Sequence, residues 1–132
     1  MKQIAYCLII VTLLLNMGCA VALIGAGAAG TVAYIRGDLT STEPYEVSEV
    51  YQASQKAMTD LGLARIKQSQ DVLGARIIAR DAQDKKITVT IKYVTEYSSQ
   101  LCIRVAVFGD ENKSRQIYLK ICQCLKDEYD SE

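Results

Sequence analysis

Residues 86–93 read Lys86-Ile87-Thr88-Val89-Thr90-Ile91-Lys92-Tyr93. Polar and apolar side chains alternate along this stretch, and successive side chains of a β-strand point to opposite faces of a sheet. The alternation therefore predicts a strand whose apolar side is buried and whose polar side meets water. Such one-sided strands are typical of antiparallel sheets. The predicted inward side consists of Ile87, Val89, Ile91 and Tyr93.

A second alternating stretch follows at residues 101–108. Its apolar positions, Leu101, Ile103, Val105 and Val107, predict a partner for the first strand. The polar stretches between the candidate strands have the length of hairpin connections. Three weaker strand candidates complete the predicted sheet, at residues 39–43, 63–67 and 73–80.

Apolar residues recur at helical spacing between Tyr45 and Leu61. A helix that places them on one side would bury that side against the sheet. Gly62 follows as the expected left-handed residue at the end of this helix. The predicted buried face consists of Val47, Val50, Tyr51, Ala57, Met58 and Leu61.

A second helix is predicted after Asp110, whose side chain is suited to accept a hydrogen bond from the first helical turn. This helix would run to about Glu128, with Tyr118 at the margin of its apolar stripe. The acidic pairs at residues 110–111 and 127–128 are then explained as solvated helix ends. The stripe consists of Ile117, Ile121, Cys124 and Leu125.

The predicted order of elements is β-α-β-β-β-β-α. Two amphipathic helices can bury their apolar faces against the apolar side of one sheet, which makes a two-layer α+β domain. We therefore expect a four- to five-stranded antiparallel sheet with both helices on one face. This α+β domain is predicted to span residues 38–132.

No charged residue occurs from Gln3 to Ile35. As a single helix this stretch would be about 50 Å long, whereas the core of a bilayer is only about 30 Å thick. Its side chains change in character: residues 4–15 are mostly bulky and follow Lys2, whereas residues 20–33 are mostly alanine and glycine. A basic start, a short apolar core and a small residue predict a secretory signal peptide at residues 1–18. Residues 19–37 would then form a membrane-proximal segment before the α+β domain.

Gly18 and Cys19 end the bulky stretch and resemble the bacterial lipobox. The resemblance implies that cleavage occurs between them and that Cys19 carries a diacylglycerol on its thiol and a further acyl chain on its amine. Two or three acyl chains anchor a protein stably in a membrane. Asn16 occupies the position at which this motif usually has leucine. The alternative is an uncleaved transmembrane helix over residues 4–24, which would leave the protein in the inner membrane.

The alanine- and glycine-rich segment has two alternative interpretations. As a helix, it would place small residues on one face, which lets membrane helices approach closely and self-associate. As a tether, it would only connect the anchor to the domain. The spacing of Gly25, Gly27 and Gly30 also occurs in dinucleotide-binding loops, but no second parallel strand follows, so no nucleotide site is predicted. The helical packing face would consist of Ala22, Gly25, Ala26, Ala29 and Ala33.

Composition excludes several classes of function. The chain carries 15 basic and 15 acidic side chains. Phosphate binding requires a basic face, and because the sequence displays none we expect no nucleic-acid partner. The chain has no histidine, the most common general base and a frequent zinc ligand. We therefore predict no catalytic residues, no metal site and no cofactor.

Three cysteines remain in the predicted domain. Strand alternation places Cys102 with Arg104 on the outer side of its strand, whereas helical spacing places Cys124 in the apolar stripe and Cys122 on its flank. A disulfide requires Cβ atoms about 3.5–4.5 Å apart. We therefore expect free thiols, with Cys124 buried and Cys102 available for pairing with another molecule.

Six short motifs occur along the chain: Gly18-Cys19-Ala20, Thr31-Val32-Ala33-Tyr34-Ile35-Arg36-Gly37, Leu61-Gly62-Leu63, Ile103-Arg104-Val105, Phe108-Gly109-Asp110-Glu111 and Ser114-Arg115. Together they resemble a family of small bacterial lipoproteins catalogued as a domain of unknown function. The resemblance implies a location in the cell envelope, and it assigns no activity and no catalytic residue. An alanine after the cysteine, instead of an aspartate, is further similar to lipoproteins that are sorted to the outer membrane.

We expect a non-catalytic structural or binding module that is held at the membrane by its N-terminal lipid. Its partner would be an envelope protein, a lipid, a wall component or a second copy of the chain. The alternative is an enzyme or a small-ligand carrier, which would need a pocket between the sheet and the helices. A filled core would favour the first interpretation.

Overall fold

The computed structural model describes residues 1–6 and 32–131. Residues 2–6 are helical, and a folded domain begins at residue 33. Within the described residues, no helix is both long enough and apolar enough to cross a bilayer. The elements of the domain are β1 (Ala33–Ile35), β2 (Asp38–Glu43), α1 (Val47–Asp60), β3 (Ala64–Asp71), β4 (Gly74–Arg80), β5 (Lys86–Thr95), β6 (Ser98–Val105) and α2 (Glu111–Tyr129).

The strands form one antiparallel sheet in the spatial order β1-β2-β6-β5-β4-β3. β5, which contains the alternating residues 86–93, pairs with β4 on one side and with β6 on the other. The two helices contact each other and pack on one face of the sheet. The predicted α+β class and the antiparallel sheet are confirmed.

The sheet has six strands, whereas four or five were predicted. The additional strand is β1, which falls within the membrane-proximal segment predicted for residues 19–37. Arg36 and Gly37, with φ angles of 54° and 88°, form the turn that returns the chain along β2. Three residues are too few to show an alternation, so only the pairing across this turn reveals the strand. Ala33, predicted to lie on a helical packing face, instead lies in β1 opposite Thr40.

The core occupies the space between the sheet and the helices. Inward side chains of the central strands, such as Ile87, Val89, Leu101 and Ile103, are 0% exposed. Burial of a side chain of this size contributes about 1.5–3 kcal/mol. The predicted apolar faces of the helices complete the same cluster, with Val50, Ala57 and Met58 from α1 and Ile117, Ile121, Cys124 and Leu125 from α2.

Three residues predicted to be buried are exposed, and all three lie at the ends of regular elements. Val107 is exposed because β6 has already ended, and the φ of 60° at Ala106 turns the chain out of the sheet. Leu61 is exposed because α1 ends one residue before it. Tyr93 is half-exposed near the β5–β6 turn, where the register between the two strands shifts.

The two helices begin with side-chain caps. Glu46 and Glu49 form a capping box at the start of α1, in which the Glu49 carboxylate accepts the Glu46 backbone N–H at 2.9 Å. The Asp110 carboxylate accepts the backbone N–H of Lys113 at 3.0 Å, which confirms the predicted start of α2. Gly62 follows α1 with a φ of 67°, also as predicted.

β3 forms one edge of the sheet, and all eight of its residues are exposed. It extends well past the predicted limit at residue 67, because backbone pairing with β4 continues where the sequence becomes polar. A register shift between Arg65 and Lys67 interrupts the ladder. Bulges and charged side chains at sheet edges hinder pairing with another chain.

Candidate binding surface

The predicted lipidation and helix-packing residues lie outside the described residues, except for Ala33 in β1. The predictions about cleavage, acylation and helix association therefore stay predictions. The residues concerned are Gly18, Cys19, Ala22, Gly25, Ala26 and Ala29.

The three cysteines of the domain are free and lie in the environments predicted for them. Cys102 is half-buried on the sheet face opposite the helices, with the Thr40 hydroxyl 3.9 Å from its sulfur. Cys124 is buried in the core, and this burial raises the pKa of its thiol. Across the part of the chain that the structure describes, no group of three metal-ligating side chains occurs.

The sheet face opposite the helices, called the open face below, carries an excess of basic side chains. The total charge of the chain is balanced, but most acidic side chains lie in the helices and turns, whereas several basic side chains lie on this side of the strands. The fold thus assembles a basic face that the sequence does not display. The basic residues of the open face are Lys67, Arg76, Arg80, Lys86, Lys92 and Arg104, and its acidic residues are Asp38 and Asp71.

A recess of about 400 Å³ lies on the open face between β3, β4 and β5. Gly74 lines the recess and lies between Asp71 of β3 and Lys92 of β5. A Cβ atom on Gly74 would lie only 2.6 Å from the carbonyl oxygen of Ile91. The polar walls of this basic recess are formed by Lys67, Ser69, Asp71, Arg76, Thr90 and Lys92.

Lys67, Arg76 and Lys92 form no ion pair with any residue that the structure describes. The arginines at positions 80 and 104 differ, since each binds a carboxylate, at 2.9 and 2.6 Å. The Asp71 carboxylate is engaged in the β3–β4 turn, where one oxygen accepts two backbone N–H groups at 2.8 and 2.9 Å. The three free cations therefore give the basic recess a positive potential that favours anionic groups.

Exposed apolar side chains lie at the β3–β4 and β5–β6 turns, at the same end of the sheet as the basic recess. Leu73 is 73% exposed and also lines the recess. Its carbonyl oxygen accepts the backbone N–H of Tyr93 at 2.9 Å, which holds the two hairpins side by side. Grouped exposed apolar residues mark interaction sites more often than single ones do. The residues of these hairpin tips are Val72, Leu73, Tyr93, Val94 and Tyr97.

The opposite end of the sheet presents a second apolar corner. Phe108, the only phenylalanine in the chain, is 93% exposed, and Val107 beside it is exposed as well. Arg104 holds this Phe108 corner together. Its guanidinium binds the Asp38 carboxylate and donates to the carbonyl oxygens of Arg36 and Val107, at 2.9 and 3.2 Å. Motifs that carry the family resemblance thus meet in space at this corner.

One family matches the chain over most of its length. The family described as "Protein of unknown function (DUF3568)" matches residues 2–123. The chain belongs to this family. The resemblance to a domain of unknown function is thereby confirmed. No curated protein matches the chain, and the DUF3568 description assigns no activity.

This DUF3568 protein also contains a polar cluster where α2 meets β2. Glu43 is only 4% exposed, the Ser41 hydroxyl donates to its carboxylate, and the Tyr118 hydroxyl lies 3.3 Å from the Ser41 oxygen. Burial raises the pKa of Tyr118, although its hydrogen bond with Ser41 acts in the opposite direction. Nothing in the sequence signals this cluster, because its members come from distant segments. Its hydrogen bonds connect the helix to the sheet.

Proposed function

We propose that this protein is a membrane-anchored lipoprotein of the bacterial cell envelope, and that its α+β domain is a non-catalytic binding module. Acyl chains on Cys19 hold the domain at the membrane, on the periplasmic side of the outer membrane. The open face of the sheet is the surface offered to a partner. Self-association through the small-residue face of the membrane-proximal segment remains a prediction within this proposal.

The packing of the core supports a binding module most directly. Side chains from both layers, among them Leu39, Val50, Met58 and Ile103, are 0% exposed and meet in one cluster. A substrate pocket between the sheet and the helices would need space that this cluster occupies. The alternative of an enzyme or a small-ligand carrier with an internal pocket therefore has less support. The basic recess and the hairpin tips lie on the outside of the domain, where a protein, a wall component or a lipid surface can reach them.

The length of the connecting segment supports a location close to the bilayer. Residues 20–32 would span at most about 45 Å if they were fully extended. An anchor on Cys19 would therefore keep the domain within that distance of the membrane surface, whichever conformation the segment adopts. A partner of the domain must then be present in the same layer of the envelope.

Replacing the anchor residue tests the proposal. We expect Cys19→Ser to abolish the incorporation of labelled palmitate in growing cells and to leave an unprocessed precursor of higher mass. Cys7→Ser is the matched control, because Cys7 belongs to the same apolar stretch but follows a tyrosine instead of a small residue. The control should be labelled and processed like the unmodified protein.

Continued labelling of the Cys19→Ser variant would contradict the lipoprotein proposal and favour the uncleaved helix over residues 4–24. Membrane fractionation tests the location separately. We expect the processed protein in the outer-membrane fraction of a bacterium with two membranes. Recovery in the inner membrane alone would overturn the proposed location while leaving acylation intact.

A further inference from the structure

We propose that the hairpin tips and the basic recess together dock the domain onto an anionic lipid surface. The inference rests on the proposed function only in placing the domain beside a membrane. It adds a second contact with that membrane, made by the folded domain itself, through apolar side chains that enter the interface and cations that bind lipid phosphates.

The hairpin tips combine exposed aliphatic and tyrosine side chains, with Glu96 as the one acidic residue of the β5–β6 turn. Leu73 and Val94 offer aliphatic side chains at the ends of two adjacent hairpins, and Tyr97 is exposed at the turn between β5 and β6. Tyrosine is enriched at membrane interfaces because its ring is apolar and its hydroxyl remains hydrated. The hydrogen bond between Tyr93 and Leu73 fixes the tips relative to each other, so little conformational freedom is lost on docking.

The charge of the adjoining recess matches an anionic surface. Lys67, Arg76 and Lys92 project from three neighbouring strands on one side of the sheet. They have no acidic partner within the described residues, so their charge is available to lipid phosphates. Each basic residue close to an anionic bilayer strengthens association about fivefold.

The Phe108 corner is less suited to anionic lipid, although it is also apolar. Its cations are largely opposed by carboxylates: Asp38 binds Arg104, Asp84 binds Arg80, and Asp110 lies 3.8 Å from the Lys85 amine. The resulting surface has mixed charge. An anionic bilayer therefore favours the end of the sheet that carries the basic recess.

The direction of β1 fits a membrane contact at the hairpin tips. β1 begins opposite Thr40 and ends opposite Asp38, whereas β2 continues to Glu43, which pairs with Ser99 beside the β5–β6 turn. The chain therefore enters β1 heading away from the hairpin tips.

A single tryptophan can report docking, because the chain contains none. Full-length Leu73→Trp would be reconstituted in vesicles with brominated acyl chains, made of phosphatidylcholine alone or of equal parts phosphatidylcholine and phosphatidylglycerol. We expect bromine to quench Trp fluorescence strongly in the anionic vesicles and weakly in the neutral ones. Phe108→Trp, at the opposite end of the sheet, should be quenched weakly in both.

The role of charge is tested in the Leu73→Trp background. Arg76→Gln with Lys92→Gln should weaken docking in anionic vesicles by about fivefold for each cation removed. The matched control is Lys56→Gln with Lys126→Gln, which removes two exposed cations from the helices and should leave quenching unchanged. Circular dichroism of each variant verifies that the domain is folded.

Three outcomes would overturn the inference. The first is the absence of quenching at position 73 in anionic vesicles that hold the protein. The second is equal quenching in neutral and anionic vesicles, and the third is stronger quenching at position 108 than at 73. Reconstitution places the chain in the bilayer whether or not it is acylated. These three outcomes therefore test docking alone. Continued palmitate labelling of Cys19→Ser would instead overturn the proposed anchor.

Discussion

Gly109 occupies a position at which two loops of the Phe108 corner touch. Its φ is 85°, a left-handed conformation that side chains disfavour. A Cβ atom there would lie 2.5 Å from the hydroxyl oxygen of Tyr34 and 2.7 Å from the carbonyl oxygen of Gly37. Both the backbone conformation and the available space therefore require glycine.

We predict that Gly109→Ala lowers the free energy of unfolding by about 2–5 kcal/mol, the sum of left-handed strain and overpacking. Gly62→Ala is the matched control, since Gly62 has a φ of 67° but no atom within 4 Å of the Cβ position. Gly62→Ala should lower the free energy of unfolding by only about 1–2 kcal/mol, from left-handed strain alone. Urea denaturation of the full chain in neutral detergent measures both values. Equal losses would show that crowding at the corner has no effect.

At the scale of elements, α2 depends on its first residues as well as on its apolar stripe. Asp110 accepts the Lys113 backbone N–H and lies near the Lys85 amine, so it caps the helix and joins it to the β4–β5 turn. Unpaired N–H groups at a helix start cost free energy unless a side chain or water accepts them. This one residue therefore helps to set both the start and the position of α2.

We predict that Asp110→Ala lowers the free energy of unfolding by about 1 kcal/mol, the usual contribution of a helix cap. Asp110→Asn should lose less, because the amide oxygen still accepts the hydrogen bond and only the charge is removed. Thermal or urea denaturation of the two variants provides the comparison. If the two losses are the same, the contribution comes from charge and not from capping.

At the scale of the whole molecule, the contact between the helices and the sheet buries one tyrosine hydroxyl and two cysteine thiols. Burial raises the pKa of Tyr118 and of the Cys122 and Cys124 thiols above their ordinary values. The folded state therefore favours their neutral forms. The stability that they contribute is fully present below their pKa values in the unfolded chain, about 9 for cysteine and 10 for tyrosine. It is lost as pH rises beyond those values.

We predict that the free energy of unfolding stays nearly constant from neutral pH to about pH 9 and then falls steadily as pH increases. Tyr118→Phe should make this alkaline decline shallower, because it removes one buried proton. Tyr97→Phe is the control, since Tyr97 is exposed at a hairpin tip. Urea titrations at a series of pH values measure the slope. An identical slope for Tyr118→Phe and the unmodified chain would contradict the prediction.

The elements with their own periodicity could be predicted from the sequence. The alternation from Lys86 to Ile91 determined a buried strand face, and the spacing from Val47 to Met58 determined a helical one, because each pattern contains enough repeats to specify which side is apolar. Asp110 and Gly62 marked helix ends through their own chemistry. These signals are local, and together they were sufficient for the α+β class.

Only the tertiary structure decided the remaining features. β1 is too short to show a pattern and exists through its pairing with β2. β3 continues through its polar residues because it pairs with β4. Val107 lies outside the sheet because the preceding residue, Ala106, turns the backbone. Lys67, Arg76 and Lys92 belong to different strands, so their common charge becomes a surface only when pairing sets those strands side by side. The sequence determines an element when the pattern that specifies it is local. A surface made from several strands depends on strand register, and register is set by contacts between distant residues.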